Sequence, residues 1–168
     1  MAASQYPQVF AGEILTAGLL QSFAPLTVVK AANQTVTSST TLVNDSDLSA
    51  AVAASATYWL DCILTYEGGP QGTSDLKFAW AVPAGTTMAC QQNGITTAGA
   101  STIGFARGVS GGTAGTSGSG NQWTMRMSGT VTVSTTPGTL QLQWAQNTSN
   151  GVGTIVHAGS GLLLVRVK

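Results

Sequence analysis

The stretch Gly138–Lys168, GTLQLQWAQNTSNGVGTIVHAGSGLLLVRVK, decides how the rest of the chain must fold. Leu140, Leu142 and Trp144 alternate with Gln141, Gln143 and Ala145, so an extended segment has one apolar side and one that meets water. That pattern is a half-buried strand. After the turn-rich Asn147–Gly151, the runs 154–156 and 162–167 are β-branched or leucine-rich, and the second is too continuously apolar to be one-sided. The chain therefore ends inside a core, which suggests a β-sandwich with a subunit contact over the outer face of its last strands.

Composition narrows the reading. A chain of 168 residues suits one domain and can bury roughly 70% of its extended surface. Only 7% of residues are charged, against about 25% in ordinary soluble domains, so the surface is neutral polar or apolar and favours packing against neighbours. The formal net charge is zero, and the basic residues Lys30, Lys77, Arg107, Arg126, Arg166 and Lys168 are scattered, so nucleic acid is not an expected partner. No run of apolar residues reaches membrane-spanning length and MAASQYPQVF lacks the features of a signal peptide, so no membrane span and no secretion are expected. Cys62 and Cys90 are accordingly expected as reduced, small hydrophobes within strands.

Along the chain, residues 1–25 stand apart from 26–168. Ile14, Leu15, Leu19, Leu20 and Phe23 fall at helical spacing, with Thr16 as N-cap and Pro25 as the stop. A helix of two turns is not stable alone, so its apolar face must dock on its own domain, on a sister subunit or on another protein. From Leu26 onward the period is two. The candidate strands are 26–30, 34–38, 41–43, 48–52, 57–66, 76–82, 86–91, 102–106, 122–128, 129–135, 139–146, 153–156 and 162–167. The segment 47–56 is alanine-rich enough to read as a capped helix, and only the alternation of Leu48, Ala50 and Val52 favours a strand. In 57–66, Tyr58, Leu60, Cys62, Leu64 and Tyr66 share one face and Trp59, Asp61 and Ile63 the other; both faces read as covered, which places this strand centrally and requires a partner for Asp61. The stretch GVSGGTAGTSGSG, Gly108–Gly120, holds almost nothing that packs and reads as a long flexible loop.

The motifs that carry chemistry are weak. Gly108-Val109-Ser110-Gly111-Gly112 has the form of a serine-hydrolase elbow, but a glycine-serine run follows where that elbow needs a helix, and His157 is the only histidine. Asn44, Asp45 and Asp47 resemble the start of a calcium loop but lack its glycine and terminal glutamate, so a turn stabilised by Asx side chains is expected. Two cysteines and one histidine make no zinc pattern, Asp61, Glu67 and Asp75 form no evident pair for glycosidase work, and the phosphate-loop GK[ST] is absent. No catalytic residue, metal ligand or cofactor is expected. The three N-glycosylation patterns at Asn33, Asn44 and Asn147 are expected to carry no glycan for want of a secretory signal. Trp59, Trp80, Trp123 and Trp144 lie in alternating strands and are expected in the core, Trp123 least firmly; exposed, they would stack on sugars.

LQLQWAQNTSN followed by TIVHAGSGLLLVRV resembles the C-terminal signature of a family of small virion structural proteins, minor tail or decoration proteins, of tailed bacteriophages infecting actinobacteria. In that family a WAQ-x-TS strand end precedes T-x-V-x-AGS-x-L and a hydrophobic finish. TLVNDSDLSAAVAASATYWLDCILTYEG and SDLKFAWAVPAG are similar to the family's first strands, and AGEILTAGLLQSF is similar to a short N-terminal motif of phage tail proteins. The resemblance implies a jelly-roll-like antiparallel β-sandwich over 26–168, an N-terminal anchor arm over 1–25, and a homotrimer on the outside of a virion assembled in the host cytoplasm. It implies the tail or major capsid protein as a partner and, for a tail component, contact with host surface glycans. A minor tail or tail-tip role in host attachment is the leading expectation, ahead of capsid decoration and of a carbohydrate-binding module.

Overall fold

The computed structural model of the chain describes residues 9–22 and 24–168, the side chains of 21, 22 and 102–106 excepted. It is almost entirely β. One short helix, α1 (Ala17–Ser22), precedes β1 (Leu26–Val29), β2 (Gln34–Val36), β3 (Val43–Val52), β4 (Thr57–Glu67), β5 (Leu76–Ala81) and β6 (Thr87–Ile95). There follow β7 (Ser101–Arg107), β8 (Gly112–Ala114), β9 (Trp123–Thr132), β10 (Gly138–Gln146), β11 (Thr154–Val156) and β12 (Gly161–Arg166).

The strands make two antiparallel sheets. The larger runs β1-β12-β4-β9-β6-β7, with β11 bonded to β4 and β2 to β11; the smaller runs β3-β10-β5-β8. With the β6–β7 hairpin and the short β2 and β11 set aside, the first strand pairs with the last, β3 with β10, β4 with β9 and β5 with β8. That nesting is one long hairpin wound into two layers, the topology of a jelly roll. The expected jelly-roll-like sandwich is therefore present, with β4 in the interior of the larger sheet.

The core lies between the layers. Tyr58, Leu60, Cys62, Leu64 and Tyr66 of β4, Met125, Met127 and Val131 of β9, and Leu162 and Leu164 of β12 face Leu76, Phe78 and Trp80 of β5 and Leu140, Leu142 and Trp144 of β10, all buried in one cluster. The period-two alternation of β10 survives intact. Its outward glutamines bridge to β3, Gln141 Nε2 donating to the Asp45 carbonyl at 3.0 Å and Gln143 Nε2 to Asn44 Oδ1 at 2.8 Å. Cys62 and Cys90 are buried and unpaired with each other, and burial pushes both thiols up from their ordinary pKa.

Four expectations need correction. Segments 122–128 and 129–135 are one strand, β9; Gly129 is no break but a close approach, since a Cβ there would lie 2.2 Å from the Ala89 carbonyl oxygen of β6. Segments 41–43 and 48–52 join as β3 across a bulge in which Asp45–Leu48 stand opposite Leu142 alone, while the strand favoured over a helix after Asp47 is present through Val52. The glycine-rich 108–120 is no free loop. It turns at Gly108–Gly111, contributes β8 to the edge of the smaller sheet beside β5, and buries Ala114 and Thr116 completely. Its glycines allow the chain to lie against neighbouring backbone: a Cβ at Gly111 would sit 2.0 Å from the Phe78 carbonyl oxygen and one at Gly115 2.1 Å from that of Thr96. Finally, among the described residues β4 is covered on its inner face only.

Candidate functional site

The outer face of the larger sheet is built by every second residue of its strands. Trp59, Asp61 and Ile63 of β4 point away from the core; Trp59 stands opposite Val165 and Thr130, and Asp61 opposite Leu163 and Ser128. Ile63 stands opposite Gly161 of β12, which in turn pairs with Val29 of β1. Gly161 has no side chain to fill the space between Val29 and Ile63. A shallow groove of ≈ 270 Å³ results, its walls including Thr27, Val29, Asp61, Ile63 and Leu163. Trp59 is 63% exposed, Val29 62% and Ile63 45%, so large apolar side chains of β1 and β4 face solvent where a covered strand was expected.

Asp61 has the partner its position requires. Arg126 of β9 grips it with Nε and Nη2, each 2.7 Å from one carboxylate oxygen, and the pairing raises the guanidinium pKa. Within this pair the two charges offset each other at the centre of the face.

The arm supplies the second apolar surface. Thr16 caps α1 as expected, its hydroxyl accepting from the Leu19 amide at 3.2 Å. Of the residues expected to form an anchor, Ile14 is 81% exposed, Leu15 and Leu20 are also exposed, and Leu19 is half-buried; Phe23 lies outside the described residues. Val9 and Phe10 add to this exposed apolar segment.

The remaining candidates are structural. Asp45 and Asp47 face an ammonium group rather than opening a calcium loop, and the Asn44 side chain accepts from Gln143 instead. Lys30 Nζ lies 3.0 Å from Asp45 Oδ1, 2.9 Å from Ser46 Oγ, 3.2 Å from Gln34 Oε1 and 3.4 Å from Asp47 Oδ2. Asp45 Oδ1 accepts from the amides of Asp47 and Leu48, the expected Asx turn, and Oδ2 accepts from Trp144 Nε1 at 3.0 Å. The Ser46 hydroxyl, and after it Lys30, hold the Asp47 carboxyl below the usual carboxylate range.

Ser110 sits in a turn that enters β8, a strand, so the serine-hydrolase geometry is not formed. His157 Nε2 is 3.5 Å from Glu67 Oε2. Asp75 caps the loop by accepting from the Thr116 amide at 2.9 Å and the Gly72 amide at 3.3 Å. Asp61, Glu67 and Asp75 thus have separate partners and form no catalytic pair. Among the described residues, no cluster of three or more His, Cys, Asp or Glu side chains could hold a metal ion.

Trp80 and Trp144 are in the core, whereas Trp59 and Trp123 are not. Trp123 is 37% exposed at the end of β9, its Nε1 donating to Ser117 Oγ at 2.6 Å. The open face as a unit was not legible from alternation alone. Its signal was present in β4, whose second face carries Trp and Ile beside a charged residue.

No protein-family model and no curated protein matches the chain, so the likeness to actinobacteriophage virion proteins stands on the motifs. Among solved structures, the chain is similar to that of the Gt strain of infectious bursal disease virus, at 14% identity and a TM-score of 0.24, covering 98% of this chain and 48% of that one. It is also similar to the VP2 subviral particle of the same virus, at 14% identity and a TM-score of 0.25, covering 99% and 47%. The chain spans about half the length of these proteins.

Proposed function

We propose that this chain is a non-enzymatic structural protein of a bacteriophage virion, displayed on the particle exterior as a homotrimer and mounted through residues 1–25. Within the virion we assign it to the tail or tail tip, where it contributes to host attachment. The observation that carries the reading is the pair of apolar surfaces left exposed among the described residues, the outer face around Trp59, Ile63 and Val29 and the segment around Ile14, Leu15 and Leu20, on a chain with almost no charge to keep copies apart. The threefold count and the tail position come from the motif resemblance.

The mechanism is geometric. Apolar outer faces are removed from water against sister copies or a neighbouring virion protein, and repeated display turns weak contacts with a host surface into firm attachment. Capsid decoration is the second reading, and the compact sandwich favours it: among the described residues the one helix has six residues and no shaft extends from the domain. Trp59, exposed on a sheet face beside the Asp61–Arg126 pair, is what favours a carbohydrate-binding reading.

Immunogold electron microscopy of the virion with antibody to this chain tests the assignment. Label on the tail, with loss of adsorption when the protein is deleted, is the expected result. Label on the head with loss of capsid stability selects decoration, and absence from the particle overturns the proposal.

A further inference from the structure

Lys30 and Asp45 meet with side chains wholly withdrawn from solvent. Neither group is free to drift. Lys30 is clamped at both backbone positions, its amide donating to the Ser160 carbonyl at 2.8 Å and its carbonyl accepting from Gly159 at 2.9 Å. The Asp45 carboxylate is fixed by three N–H donors, the Asp47 and Leu48 amides and the Trp144 indole, each at 3.0 Å. Lys30 Nζ is 3.0 Å from Asp45 Oδ1, and a second carboxylate, Asp47, stands 3.4 Å from the same nitrogen.

Amide formation needs one proton moved from the ammonium to the carboxylate, and the 3.0 Å contact between Nζ and Oδ1 gives that proton a direct path out of reach of solvent. An amine and a carboxylic acid are the reactants of amide formation, and here the nitrogen and the carboxylate oxygen are held 3.0 Å apart by hydrogen-bonded backbone on either side. We propose that Lys30 and Asp45 condense into an intramolecular isopeptide bond between Nζ and Cγ, with Asp47 as the proton carrier. Nζ attacks Cγ, and the N–H donors around the carboxylate stabilise the charge that develops on oxygen. Asp47 takes a proton from the attacking nitrogen and returns it to the departing oxygen. Of the three ammonium protons, one stays on the amide nitrogen and two leave with one carboxylate oxygen as water. Nothing is oxidised or reduced, and Asp47 is regenerated.

The product also fits its surroundings. The remaining amide proton keeps Ser46 Oγ, 2.9 Å from Nζ, as an acceptor. Lys30 directly follows β1 of the larger sheet and Asp45 belongs to β3 of the smaller, so the bond staples the two layers of the sandwich together.

The test is the mass of the full-length chain under denaturing conditions, with tryptic peptide mapping. The expected result is a chain one water lighter than its sequence mass, resistant to trypsin after Lys30, and yielding a branched peptide that joins Lys30 to Asp45. Asp45→Ala should abolish the branch. Asp47→Ala, which removes a partly exposed side chain, should fold with unchanged circular dichroism and retain the water. A wild-type chain of full sequence mass, cleaved after Lys30, overturns the bond; an Asp47→Ala chain that still loses water overturns the role of Asp47.

Discussion

Tyr66 lies on the inner face of β4 with its hydroxyl buried and without a hydrogen-bond partner among the described residues. A stranded hydroxyl costs about 1–3 kcal/mol of desolvation. Tyr66→Phe, which removes the oxygen and keeps the ring, is therefore expected to leave stability unchanged or raise it by about 1 kcal/mol, as read from urea unfolding midpoints. The same burial, with Asp75 nearby, raises the Tyr66 pKa, and burial with Asp45 and Asp61 nearby raises that of Cys62. The fold thus holds both groups in their neutral forms. Their contribution is complete below the unfolded values, 9.0 for the thiol and 10.0 for the phenol, and is lost as pH rises past them, because the unfolded chain releases protons that the folded chain retains. Thermal melts should show Tm falling above about pH 9, each group contributing a slope of up to about 1.4 kcal/mol per pH unit. Cys62→Ala and Tyr66→Phe should each flatten that decline. At this scale the sequence was readable where a need was local. The Asx turn at Asp45 and the want of a partner for Asp61 follow from neighbouring residues. That Lys30 is the cation met by Asp45, and that Arg126 meets Asp61, depends on which strands are adjacent in space, which no local pattern encodes.

Among the elements, the long alternating strands were legible because burial imposes a period of two that few other structures share. β4, β10 and β12 lie within a residue or two of their expected bounds. β8 was not legible. Gly112–Ala114 carries no alternation, and it is held in place by backbone pairing to β5 and by the Asp75–Thr116 contact rather than by its own side chains. Glycine was read as a signal for freedom, whereas in Gly111, Gly115 and Gly129 it permits backbones to touch. Gly115→Ala should accordingly lower stability by about 1–3 kcal/mol or more, through displacement of the Thr96 carbonyl. Gly151→Ala, at a position with nothing within 4 Å of the new methyl group, should fall within about 0.5 kcal/mol of the parent. Equal sensitivity at the two sites would restore the picture of a free loop.

At the scale of the whole molecule, the jelly roll was foreseeable and its outer surface was not. A strand interior to a sheet and apolar on both faces needs two covers, and sequence does not say whether the second comes from the same chain or from another. Here the first cover is the smaller sheet, and among the described residues no second one lies over Trp59, Val29 and Ile63, which are exposed beside the groove left by Gly161. The account therefore turns on whether copies of the chain supply that cover. Sedimentation equilibrium of the full-length protein, beside an Ile63→Asp variant that places an unpaired charge on the open face, is the most direct measurement. The prediction is a trimer that dissociates to folded monomers in the variant. A wild-type chain that remains a monomer across the accessible concentration range, or a trimer indifferent to the new charge, would contradict it.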